Sequence, residues 1–130
     1  MLGTSTSRRI ATAAAVAGST AAIALTGASA ASAQVYQTVP LSPGQSHCVT
    51  QYASFQVRGD GWATGGGARF KLLYNGQVID ATAGRVTNWA VERRSSYGNF
   101  PGQGYYSVCA YNTGTTNTTA SLQIRTDNEF

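Results

Sequence analysis

His47 and Cys48 stand side by side, an imidazole next to a thiol, the two groups from which nucleophilic catalysis is most simply assembled. On a β-strand, however, successive side chains point to opposite faces, so the two would not meet one substrate. His47 is also the only histidine, so a Ser-His-Asp system would have to use it as the base. A zinc site needs three or four Cys, His or carboxylate ligands, and one histidine beside a cysteine expected to be disulfide-bonded does not supply them. The five carboxylates, Asp60, Asp80, Glu92, Asp127 and Glu129, contain no pair that spacing singles out for glycoside hydrolysis, and the last two stand at a C-terminus expected to fray. Gly65-Gly66-Gly67 lacks the Gly-Lys-Ser/Thr ending of a phosphate loop and precedes a strand instead of a helix, so it reads as a linker. No catalytic residue, metal site or cofactor is expected, and the chain reads as a non-enzyme.

Binding chemistry is better represented. Trp89, Tyr97, Phe100 and Tyr105, with Tyr106 beside them, fall in or next to one glycine-rich stretch. Such rings stack on a sugar or fill a partner's pocket, although half of them serving the core is the plainer reading. Cys48 and Cys109 are the only cysteines, and in an exported chain two cysteines read as one disulfide. Linking them closes a loop of about 60 residues, which stabilises by roughly 4 kcal/mol on the chain-entropy model. A bridge between two chains and a pair of free thiols are the alternatives.

Export is read from the N-terminus. Arg8 and Arg9 precede a mostly apolar run over residues 10–25, and Ala31-Ser32-Ala33 supplies small residues for cleavage, the three-part pattern of a secretory signal. Thr12, Gly18, Ser19 and Thr20 interrupt the run, which is too weak and short to remain as a membrane anchor. Ser7-Arg8-Arg9-Ile10 leaves twin-arginine export open beside the general route. Cutting after Ala33 removes two of the nine basic residues and leaves 97 of the 130 residues, with a net charge of +2. The arginines are scattered, only Arg93 and Arg94 being adjacent and read as solvated surface, so nucleic acid is not an expected partner. A secreted, extracellular, monomeric domain over residues 34–130 is expected.

The elements that must hold these residues are strands. No segment keeps a helical period, while Thr, Val, Tyr and Gly are abundant and turn residues recur about every ten positions. Residues 35–39 read as an edge strand stopped by Pro40 and Pro43. Residues 47–57 read as one longer strand with Val49, Ala53, Phe55 and Val57 on the core face and Cys48, Thr50, Tyr52 and Ser54 opposite. Arg58-Gly59-Asp60-Gly61 is expected to turn. Residues 68–74, with Phe70, Leu72 and Tyr74 inward, lead through Asn75-Gly76, a type I′ signal, into residues 77–82. A strand over 85–92, a long loop over 95–104, and a last hairpin of 105–111 with 120–126 complete seven or eight short strands. The expected fold is an all-β, two-sheet antiparallel sandwich of immunoglobulin-like kind. Cys48, Trp62 and Cys109 imitate the spacing of that fold, yet Ser107 stands where its tyrosine would be.

Cys48-Val49-Thr50-Gln51-Tyr52-Ala53-Ser54-Phe55 resembles the Cys-Val-Thr-x-Tyr-x-Ser-aromatic segment of tendamistat-type α-amylase inhibitors, small secreted Streptomyces proteins. Phe70-Lys71-Leu72-Leu73-Tyr74, Gly84-Arg85-Val86-Thr87 and Cys109 follow in that family's order. The resemblance implies a six-stranded sandwich that inserts a Trp-Arg-Tyr turn into an amylase cleft. That triplet falls on Phe55-Gln56-Val57, followed by Arg58, and this chain lacks the tryptophan, the arginine and the tyrosine there. The family's four cysteines form two bridges, and the two kept here correspond to members of different ones, so a direct Cys48–Cys109 bond would be a new pairing. Two functions are therefore expected in outline: an inhibitor-type protein acting on an extracellular protein such as a glycoside hydrolase, or a module binding a polysaccharide or cell surface.

Overall fold

The structure is a computed structural model and describes residues 35–130, so the signal-like segment and its cut site lie outside the described residues. Eight strands follow one another: β1 (Val35–Leu41), β2 (Ser46–Ala53), β3 (Gln56–Ala63), β4 (Arg69–Tyr74), β5 (Gln77–Ala81), β6 (Asn88–Arg94), β7 (Gly104–Tyr111) and β8 (Thr118–Thr126). They form two antiparallel four-stranded sheets, the first in the order β1-β8-β3-β6 and the second in the order β2-β7-β4-β5. This is the expected all-β sandwich, with a strand count at the upper end of expectation and above the six that the family resemblance implies.

Alternation builds the core. Val49, Ala53, Phe70, Leu72, Tyr106, Val108 and Ala110 from the second sheet meet Val57, Ala120, Leu122 and Ile124 from the first. Full burial of each large apolar side chain here contributes roughly 1.5–3 kcal/mol. Asn75 and Gly76 carry φ of 48° and 86°, the two positive values of a type I′ turn, and close the β4–β5 hairpin as its sequence requires.

Five expectations need correction. Residues 47–57 are not one strand, because the chain bends at Ser54 and Phe55 and crosses from one sheet to the other, leaving Phe55 exposed while Val57 is buried. Arg58-Gly59-Asp60-Gly61 is not a turn but the middle of β3, an interior strand. A Cβ on Gly61 would lie 2.5 Å from the Phe70 ring, and one on Gly59 2.6 Å from Val108 Cγ2, so both glycines admit close packing from the facing sheet. Residues 105–111 and 120–126 do not pair as a hairpin, since β7 and β8 lie in different sheets. Strand β1 runs through Pro40 to Leu41, tolerated because β1 is an edge, and the strand placed at 85–92 begins at Asn88, with Val86 making only an isolated bridge to Ala68.

Cys48 and Cys109 are bonded to each other within the chain, 4.0 Å apart at Cα. They sit directly opposite on β2 and β7 and on the outer face of one sheet, unlike the bridge between sheets that the immunoglobulin pattern suggests. Polar pairs clasp both open edges of the sandwich: Arg93 on β6 meets Asp80 on β5 at 3.1 Å, and His47 on β2 hydrogen-bonds Gln37 on β1.

Candidate binding surface

The β2–β3 turn, the β4–β5 hairpin, the β6–β7 loop and the C-terminal residues all lie at one end of the sandwich, because the strands that carry them are paired there: Ala53 opposite Gly104, Gln56 opposite Arg94, Tyr74 opposite Tyr106. Each connection is tied down. The Phe55 carbonyl accepts from the Ser95 N–H at 2.9 Å and from the Ser95 hydroxyl at 2.8 Å, joining the short turn to the long loop. Asp127 accepts from the N–H groups of Ser54 and Phe55 at 2.9 Å each, and Glu129 accepts from the Thr126 N–H at 2.8 Å and the Gln51 amide at 3.1 Å. The C-terminus is therefore a structural clamp, contrary to the fraying expected of it.

The long loop is equally pinned. Ser95–Tyr97 form a single 3-10 turn, the Asn99 side chain accepts from the Arg94 N–H at 2.8 Å, and the Gln103 carbonyl accepts from the Tyr74 hydroxyl at 3.0 Å. Tyr106 donates to the Gly102 carbonyl from inside the core, where burial pushes its pKa up to about 12. That hydroxyl stays protonated and serves as an anchor.

On this scaffold Phe55, Tyr52, Tyr97 and Tyr105 present exposed rings, the last two being 63% and 61% accessible. Tyr52 and Tyr105 meet edge-to-face at 5.3 Å on the outer face of the second sheet. Arg94 lies 5.2 Å from the Tyr97 ring centroid and 4.8 Å from that of Phe130, within cation–π range of both. Arg94 also closes a ladder of charges on the outer face of the first sheet. Arg125 reaches Asp60 at 3.2 Å, Arg58 holds Asp60 through two nitrogens, and Glu92 accepts from both Arg58 and Arg94. Burial disfavours the ionised Glu92, but hydrogen bonds from Arg58 and Arg94 and their charges outweigh it and hold its pKa below the usual value.

The four aromatics expected to form one platform do not share a surface. Trp89 stacks on Phe70 at 5.7 Å and Phe100 on Tyr106 at 5.5 Å, both partly buried against the core. Tyr97 and Tyr105 remain exposed at the same end as Phe55. Of the turn residues, Phe55 projects, Gln56 donates its amide to the Asp127 carbonyl, Val57 is core, and Arg58 belongs to the ladder. Arg93 and Arg94, expected as solvated surface, are both partly buried and ion-paired. Trp62, which the immunoglobulin spacing would bury, points outward. Tyr52, Asp127 and Phe130 were not singled out by sequence, since their importance arises only when the crossing at Ser54 brings three connections together. Among the described residues no cluster of three His, Cys, Asp or Glu is arranged to hold a metal ion.

No family model matches the chain, and no curated protein matches it in sequence. The fold is similar to that of PliG from Aeromonas hydrophila, a periplasmic inhibitor of g-type lysozyme known from its crystal structure. The match has a TM-score of 0.52 and 15% identity, and covers 75% of this chain and 90% of that one. At this identity the likeness is one of fold.

Proposed function

We propose that residues 34–130 are released outside the cytoplasm and act there as a non-catalytic protein that binds and inhibits an extracellular enzyme, with a glycoside hydrolase as the class of target. The observation that carries this reading is the junction at Phe55. There the turn that stands at the position of the inhibitory triplet in the family resemblance and the aromatic loop, separate in sequence, are locked together by the two hydrogen bonds from Ser95. Rigid, pre-ordered loops bind without the entropic cost of ordering, and aromatic anchors carry most interface energy. Phe55 and Tyr97, with Arg94 between Tyr97 and Phe130, combine these properties.

Two likenesses support the class of target. The sandwich of PliG serves as a lysozyme inhibitor, and the motif series from Cys48 to Cys109 resembles an amylase inhibitor family. The tendamistat mode itself is not the proposal, since Val57 is core and the Trp-Arg-Tyr triplet is absent. Purified residues 34–130 should be titrated against g-type and c-type lysozymes, an animal α-amylase and a panel of secreted bacterial hydrolases and proteases. Stoichiometric loss of activity of at least one enzyme is expected at micromolar concentration. No inhibition across the panel overturns the reading.

A further inference from the structure

The first sheet carries a second assembly of exposed groups, at the far half of its outer face from the charge ladder. Trp62 on β3 points outward with 41% of its surface accessible, and Tyr36 on the β1 edge with 57%. In the ladder Trp62 lies directly between Ser121 of β8 and Asn88 of β6, and Ser121 lies opposite Thr38 of β1. Thr38 and Ser121 share a hydrogen bond of 2.9 Å, and Tyr36, two residues before Thr38 on β1, lies on the same face of the sheet. Three hydroxyls thus gather on one side of an exposed indole, with an exposed amide on the other.

The surroundings define what this group can bind. The registers of β1 with β8, β8 with β3 and β3 with β6 run without interruption, so the face is regular, unlike the second sheet with its bulge at Leu72/Leu73. No ionised side chain belongs to the cluster. The nearest carboxylate, Asp60, is buried between Arg58 and Arg125 and already neutralised. Each hydroxyl of the triad, even when bonded to its neighbour, keeps acceptor capacity, and an amide offers both donors and an acceptor. A flat apolar ring bordered by neutral, two-way hydrogen-bonding groups matches a pyranose, whose C–H face is apolar and whose rim is hydroxyls. Tyr36 and Trp62 stand two strands and two residues apart, about 12 Å between backbones, which suits a short linear oligosaccharide better than a single sugar.

We infer that Trp62, with Tyr36, Thr38, Ser121 and Asn88, forms a stacking site for a neutral oligosaccharide segment of a polysaccharide. The site lies on a different face from the proposed inhibitory end and does not depend on it. Affinity electrophoresis of residues 34–130 in gels containing hydroxyethyl cellulose, glycol chitin or soluble starch tests it. Retardation is expected in at least one gel, weakened about tenfold or more by Trp62→Ala. Trp62→Phe should keep part of the binding, Ser121→Ala should weaken it, and Tyr97→Ala should leave it unchanged. Because Trp62 is exposed, unchanged circular dichroism of Trp62→Ala is expected, and Trp62→Phe covers the case in which it is not. No retardation in any gel, or retardation that Trp62→Ala and Trp62→Phe both leave intact, overturns the site. A Trp62→Ala variant that loses enzyme inhibition without any gel retardation would assign this face to a protein partner and likewise overturn it.

Discussion

Asp60 sits between the guanidinium groups of Arg58 and Arg125 with only 8% of its side chain exposed. Removing one partner of a fully buried pair costs roughly 3–5 kcal/mol, because the remaining charge is left without compensation. Here both arginines still reach solvent, so Asp60→Ala should lower stability by about 2–3 kcal/mol in urea titration. A loss below about 0.5 kcal/mol would show that the ladder is merely surface decoration. Glu92, farther along the ladder, gives a pH signature. Its folded pKa lies below its ordinary value, so its contribution is present above the unfolded value and is lost as pH falls through the lower, folded one. The thermal midpoint should therefore decline as the solution is acidified from near pH 4.5 downward, and Glu92→Gln should lower the midpoint at neutral pH while flattening that decline. An unchanged profile in Glu92→Gln would contradict the assignment.

At the scale of elements, the crossing from β2 to β3 and the packing of β3 explain what the sequence conveyed and what it concealed. The alternation of Val49 with Ala53, of Phe70 with Leu72, and of Ala120 with Leu122 and Ile124 was readable because each set faces one core. Asn75-Gly76 was readable because its turn chemistry is local. Gly59 and Gly61 misled for a physical reason: glycine marks both turns and places where another side chain needs the space of a Cβ, and only the Phe70 and Val108 contacts distinguish these. Gly61→Ala should cost about 2–3 kcal/mol, since Phe70 is itself held against Trp89 and cannot retreat. Gly84 has open space around its Cβ position, so Gly84→Ala should change stability by no more than about 1 kcal/mol and serves as the control. Equal effects of the two substitutions in urea titration would refute the close-packing account. The binding end was only half legible, because Phe55 and Tyr97 are 42 positions apart and their neighbourhood follows from the bend at Ser54 and the Ser95 hydrogen bonds.

For the whole molecule, a domain of this size buries a modest fraction of its unfolded surface, and a covalent link contributes a large part of its net stability. The Cys48–Cys109 bond spans 61 positions. On the chain-entropy model its removal in a Cys48→Ala/Cys109→Ala variant should cost about 4 kcal/mol, visible as a large drop in the urea midpoint together with a steeper slope, because the unlinked denatured chain exposes more surface. A drop equivalent to less than about 1 kcal/mol would mean that the two sheets hold without the staple. With that bond on one outer face, the edge clasps at Arg93–Asp80 and His47–Gln37, and the C-terminal clamp at Asp127, the scaffold keeps both ends of its strands fixed. Such rigidity is what a loop-presenting inhibitor requires.

The most direct test compares inhibition of a responsive secreted hydrolase by residues 34–130 and by the Phe55→Ala/Tyr97→Ala variant, both checked for the same circular dichroism. The account predicts tight inhibition by the unaltered protein and an inhibition constant raised about a hundredfold or more in the variant, the loss of two aromatic anchors. Equal inhibition by the two proteins would contradict the placement of the contact at this end of the sandwich.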